Sequence, residues 1–208
     1  MKRKLVALTA LLASLSLAQT PTNTDSHTVT VNIPSVLQLT LDAEDYLFDF
    51  DDPSLDGTET VTVGGNRYTK ASRAAYENFL NTATSTRHFA PTSVTDAGGN
   101  DLGNYGTVTV LTNRAQWTVK IDSIDDGPLT LGNNRVKVFA EKVSGKGASW
   151  TTTPTPITAP LTLFNAGSGG QGRSVYKLYY LFTMDITDDI PLAGINQQIT
   201  VNLLLTSP

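Results

Sequence analysis

The chain has 208 residues, with 15 Lys and Arg against 19 Asp and Glu, and no cysteine. An acidic balance disfavours nucleic acid and anionic lipid as main partners, since both call for a cationic face. The basic residues beyond position 18 are spread singly from Arg67 to Lys177 and form no patch. Without cysteine there are no disulfides, thiolate metal sites or thiol nucleophiles, so a domain of this length must be held by packing alone.

The first 18 residues read as a signal peptide. Lys2, Arg3 and Lys4 precede an uncharged run from Leu5 to Leu17, and Ser16-Leu17-Ala18 offers small residues where a signal peptidase reads them, placing cleavage before Gln19. The run is shorter than the roughly 20 apolar residues of a spanning helix, and no other stretch approaches that length. No cysteine follows the cleavage site, which excludes a lipoprotein anchor. The expectation is a mature domain of residues 19–208, with 12 basic against 19 acidic residues and a net charge of about −7. Its expected location is the periplasm, the cell surface or the extracellular space.

From residue 28 onward the dominant signal is period-two alternation, the mark of strands with one buried face. Val29, Val31 and Ile33 alternate with Thr28, Thr30 and Asn32, and Pro34 interrupts the pattern. These three residues either form the domain's own first strand, the favoured reading, or leave it to complete a neighbour's sheet. Extended segments follow at 36–41, 46–50, 58–63, 107–112, 116–122, 135–141, 161–164, 174–186 and 197–206. Turn residues separate them, among them Asp56-Gly57, Gly64-Gly65, Asp126-Gly127-Pro128 and Ala193-Gly194. Segment 174–186 carries Tyr176, Leu178, Tyr180, Phe182, Met184 and Ile186 on one face and Val175, Tyr179 and Leu181 on the other, which predicts a central strand. Many short strands without helical alternation predict an all-β fold, an antiparallel β-sandwich.

One segment differs. Residues 70–83 space Ala71, Ala74, Ala75, Phe79 and Leu80 for a short amphipathic helix, inside a long connection at about 64–106. Such an inserted loop serves either contact and function or simply plugs one end of the sandwich. Residues 151–160, rich in Thr and Pro, cannot be a central strand and are expected to cross without pairing.

Chemistry-bearing motifs are few. Gly167-Ser-Gly-Gly-Gln-Gly172 matches the dinucleotide pattern, but that motif must open a helix, and here it leads into the clearest strand. Acidic residues gather at 42–56, 122–126 and 185–189. Asp49, Asp51, Asp52 and Asp56 could supply the oxygen ligands calcium prefers, although their spacing is not that of a calcium loop, and turn-supporting aspartates account for the same residues. No pair is singled out for the acid and base roles of glycoside hydrolysis. His27 and His88 are too few for a His-rich zinc site, and no nucleophile elbow is present. Trp117 shares a face with Val119 and Ile121 and is expected in the core. Trp150, in Gly147-Ala-Ser-Trp, is a candidate contact for a sugar ring or a protein, or a cap on the sandwich.

The opening Val29-Thr-Val-Asn-Ile-Pro-Ser-Val-Leu-Gln-Leu39 and the ending Asp185-Ile-Thr-Asp-Asp-Ile-Pro-Leu-Ala-Gly-Ile-Asn-Gln-Gln-Ile-Thr-Val-Asn-Leu-Leu-Leu-Thr206 resemble the first and last strands of secreted bacterial surface sandwiches, of the WxL and fimbrial-subunit kinds. The likeness covers about a quarter of the chain, and the Trp-x-Leu pair, the cysteines and the penultimate Tyr of those families are absent. The resemblance implies a surface or fibre role and transfers no catalytic residue.

The reading that results is a non-catalytic structural or interaction protein of the cell envelope, without a required cofactor, whose partners are other envelope proteins or itself. Contact residues would be Val29, Val31, Ile33 and Trp150. The alternatives are a glycan-binding or adhesive module using Trp150, Tyr68 and Tyr105, and a secreted hydrolase using converging carboxylates.

Overall fold

A computed structural model describes residues 28–150 and 153–208. The signal-peptide reading of residues 1–18 and His27 lie outside the described residues. The chain divides into two compact units, Met1–Ile33 and Pro34–Pro208. In the first, the described residues 28–33 belong to no strand, and Val29, Val31 and Ile33 are 73%, 71% and 76% exposed. This corrects the favoured expectation that they form the domain's own first strand. Period-two alternation fixes which face of a segment can be buried, whereas burial itself needs a partner edge.

The second unit is mostly β with one short helix. Its elements are β1 (Leu37–Leu41), β2 (Asp45–Leu47), β3 (Thr60–Val63), β4 (Asn66–Lys70), α1 (Arg73–Thr82), β5 (Arg87–Ala90), β6 (Ser93–Thr95) and β7 (Gly106–Thr112). Then come β8 (Thr118–Asp125), β9 (Val136–Ser144), β10 (Thr155–Pro156), β11 (Leu161–Asn165), β12 (Gly172–Met184) and β13 (Thr200–Thr206).

The long strand β12 organises the larger sheet. Along one edge it pairs with β9. Along the other its first half pairs with β7, which carries β1, and its last three residues pair with β5. β5 continues the sheet through β4 to β3, and β10 adds to the outside of β9. A second sheet has the order β11-β8-β13, and β2 pairs with β6.

Burial of alternate residues explains why these segments are strands. Val108 and Val110 of β7, Val119 and Ile121 of β8, Val138 and Ala140 of β9, and Tyr176 and Leu178 of β12 are all fully buried in one cluster fed by both sheets. The opposite face of β12 is covered too: Tyr179 and Leu181 join Val61, Val63 and Phe139 in a second cluster. From Leu178 to Leu181 both faces of β12 are therefore buried, as its composition predicts for a central strand, while Val175 and Lys177 nearer its start are only partly so.

The 64–106 segment is woven into the sheet through β4 and β5, where a loop was expected. Gly64 and Gly65, both at positive φ (58° and 83°), make the two-residue turn joining β3 to β4. α1 begins at Ser72, whose hydroxyl accepts from the Ala75 N–H at 3.2 Å. Its apolar face buries Ala75 and Phe79, and the Phe79 ring meets Phe89 of β5 edge-on at 5.8 Å. Truncating Phe79 to alanine would cost about 3–5 kcal/mol and release the helix from the sheet. Residues 155–156 also correct an expectation, since they pair briefly with β9 at the sheet edge, the place where proline is tolerated.

Around the cluster shared by the two sheets, Ile157, Leu163 and Phe164 are each at most 4% exposed, and a rim of partly buried residues packs against it, among them Leu161 and Ala166 at the β11 end and Leu39, Leu41, Val201, Leu203 and Leu205 of β1 and β13.

Candidate functional site

The residues singled out from sequence fall into four places. The first is the exposed stretch 28–33, extended and without a ladder partner among the described residues. The chain next to it is held in place: Asn113 Nδ2 donates to the Pro34 carbonyl at 2.7 Å, and its Oδ1 accepts from the Val36 N–H at 2.9 Å. Thr112 Oγ1 donates to the Val36 carbonyl. Pro34–Val36 therefore continues the path of β1 beside the end of β7.

The second place is an aromatic cluster on the outer face of the larger sheet. Trp150 is half-buried, and its ring stands edge-on to Phe139 at 6.1 Å. Its indole N–H is buried and has no hydrogen-bond partner among the described residues. Tyr105 packs on Tyr179 at 5.3 Å, and the Lys177 ammonium lies over the Tyr105 ring at 4.8 Å. The Tyr179 hydroxyl donates to Glu141 at 3.2 Å, and burial together with that carboxylate pushes its pKa up. Tyr68, Tyr105 and Trp150, far apart in sequence, thus meet around one buried cluster.

The third place is the run of aspartates proposed as calcium ligands. Asp49 Oδ1 accepts from the Asp51 N–H, Asp52 Oδ1 from the Ser54 N–H, and Asp56 Oδ1 from both the Thr58 hydroxyl and its N–H. Asp51 pairs with Arg73 at 2.6 Å. The bonds from Ser54 lower the Asp52 pKa, and those from Thr58 lower that of Asp56. Each carboxylate thus supports its own turn or the start of α1, and no three His, Asp or Glu side chains are grouped for a metal ion among the described residues. The other acidic stretches are engaged separately: Asp125 with Asn202, Asp126 with Thr200, and Asp188 with Arg135 at 2.5 Å.

The fourth place was not legible in the sequence. His88, on β5, sets Nδ1 2.8 Å from the Thr183 hydroxyl and Nε2 3.4 Å from the Lys137 ammonium. An ammonium donor at Nε2 requires a lone pair there, so the ring is neutral with its proton on Nδ1. Burial, and then the Lys137 charge, lower its pKa. Only the fold brings β5, β9 and β12 side by side, so no local motif could have announced the trio.

Two further expectations meet their geometry. Trp117 is 2% exposed, and its indole N–H donates to the Gly170 carbonyl at 2.8 Å. The glycine-rich run 167–172 is therefore a loop pinned to the core that leads into β12. Among the described residues no helix is long and apolar enough to cross a membrane. The chain matches no family model, and no curated protein or solved structure is significantly similar to it.

Proposed function

We propose that this chain is a non-catalytic structural or interaction protein of the cell envelope or exterior, exported by its leader, which works by pairing extended backbone with a partner protein. We read the two sheets that share the main core as the layers of an antiparallel sandwich. One observation carries the functional reading: Val29, Val31 and Ile33 alternate as a strand does, yet are exposed and unpaired among the described residues. Three β-branched apolar side chains in one extended, uncharged segment suit addition to a sheet edge, where ladder hydrogen bonds supply affinity and alternate side chains supply selectivity. Size-exclusion chromatography with light scattering on residues 19–208 and 34–208 tests it. Assemblies of the longer chain, alone or with an envelope extract, that the shorter one does not form support the reading; identical elution of the two under both conditions removes it.

A second reading, a glycan-binding or adhesive module, is favoured by the meeting of Tyr68, Tyr105 and Trp150 beside Lys177 and Glu141. Aromatic faces stack on sugar rings, and the charged pair would bind hydroxyls. Glycan binding that survives Trp150→Ala would remove this version.

A further inference from the structure

Where β1, β7, β12 and β9 lie side by side, ladder register sets their outward side chains in rows across the sheet. The first row is Gln38, Leu111 and Arg173, and the second is Thr40, Thr109, Val175 and Ser144. The third runs Thr107, Lys177 and Glu141, with Asp42 at the β1 end, where its N–H donates to the Thr107 carbonyl. These residues alternate with Leu39, Val108, Val110, Tyr176 and Leu178 of the main core, so they point away from it. Gln38, Thr40, Arg173, Glu141 and Ser144 are exposed, and Leu111 is 41% exposed. A fourth row is aromatic: Tyr105 packs on Tyr179, which neighbours Phe139, and Trp150 stands on Phe139.

Topology gathers here cations that the sequence spreads singly. Lys146 follows β9, and its N–H donates to Ser174 Oγ at 3.1 Å, which brings it beside Arg173. Both are exposed, and neither joins an ion pair among the described residues. The first row is thus cationic without a carboxylate. The third is of mixed sign, with Lys177 3.9 Å from Glu141 and lying over the Tyr105 ring. Between them the second row carries only short side chains, a shallow floor about 14 Å long across four strands.

We propose that this face binds a polysaccharide bearing carboxylates, a polymer of uronic-acid type. This rests on the glycan-binding reading given second above and names its class of sugar. β7 and β12 are paired along both edges here, so their backbone has no N–H or C=O free for strand addition. A ligand is recognised through side chains alone, and the hydroxyls of Thr40, Thr109 and Ser144 both donate and accept, as sugar hydroxyls do. Arg173 and Lys146 supply charge-assisted bonds to carboxylates. On the opposite bank Glu141 needs donors, which sugar hydroxyls provide and a polyphosphate does not. The aromatic row beyond it offers Tyr105 and Trp150 for ring contact.

Calorimetric titration of the mature chain with polygalacturonate, neutral dextran and polyphosphate, each at low and at physiological salt, tests the proposal. Polygalacturonate should bind at both salt levels, and dextran and polyphosphate more weakly. The double variant Arg173→Gln/Lys146→Gln should weaken polygalacturonate about tenfold or more, as the loss of even one charge-assisted hydrogen bond implies. Thr109→Glu, which sets a carboxylate on the floor, should weaken it too, and Arg67→Gln on β4 should not. Unchanged melting temperatures show that the variants fold. Dextran bound as tightly as polygalacturonate overturns the acidic class and leaves the glycan reading standing. Polygalacturonate binding that the double variant leaves intact, or that Arg67→Gln weakens equally, overturns this face as the site. Polyphosphate bound as tightly at physiological salt overturns the sugar, since charge alone then suffices. No binding of polygalacturonate overturns the inference, and a panel of neutral glycans with Trp150→Ala then decides whether the glycan reading survives.

Discussion

Leu203 and Ile121 face each other across β13 and β8, so equal truncations at the two positions compare how far each is covered. Ile121 is fully buried, whereas Leu203 is only partly so. Ile121→Ala removes three carbons from a closed environment and leaves a cavity, which costs about 2–5 kcal/mol. Leu203→Ala removes a side chain that water already reaches. A fully buried leucine is worth about 1.5–3 kcal/mol, so one that is mostly but not fully covered, and leaves no closed cavity, should cost about 1–2 kcal/mol. Urea unfolding followed by tryptophan fluorescence, at high dilution and with matched slopes, gives both values. Equal costs for the two variants would refute the difference in burial between the two positions.

Other expectations follow from the same geometry. Trp117→Phe keeps most of the buried ring but forfeits the bond to Gly170, costing about 1 kcal/mol, while Trp117→Ala should cost about 3–5 kcal/mol; thermal melts read the difference. His88 has a folded-state pKa below its unfolded value, so its contribution to stability is complete above the ordinary histidine pKa of about 6.5 and is lost as pH falls through the lowered value. His88→Gln should flatten the stability profile in that interval, and an unchanged slope would show that the ring does not titrate against folding. The carboxyls of Asp52, Asp56, Asp96 and Asp185, lowered by local hydrogen bonds, act with the same sign at more acid pH. Their stability is present above the ordinary carboxylate range and disappears below it. Calcium should leave the melting temperature where chelator leaves it; a rise abolished by Asp52→Asn or Asp56→Asn would reinstate the aspartate run as a metal site.

Much of the fold was legible because burial and period two coincide in its middle strands. Val108 and Val110, Val119 and Ile121, and both faces of 174–186 declare themselves by spacing alone. β4, β5 and β6 were not legible: Asn-Arg-Tyr-Thr-Lys, Arg-His-Phe-Ala and Ser-Val-Thr are short, and the first two begin with polar residues. β5 is a strand because β7 ends alongside the middle of β12 and leaves its last residues an open edge, a fact of topology with no local signature. The reverse holds at 28–33, where the alternation is clean and no strand forms. A pattern records what a segment can bury, and Val29, Val31 and Ile33 need an edge that local spacing does not disclose. Among candidate site residues, Trp117 was placed correctly by its neighbours' spacing. The gathering of Tyr68, Tyr105 and Trp150 depends on contacts across distant strands and could be suspected only from residue type.

The most direct measurement is sedimentation of the mature chain across a wide concentration range, beside the variant with Val29, Val31 and Ile33 all changed to serine. The account expects the unmodified chain, alone or with an envelope extract, to enter larger species that the variant, still folded, does not form. An unmodified chain that stays monomeric at every concentration both alone and with the extract, or equal growth of both chains, would contradict it.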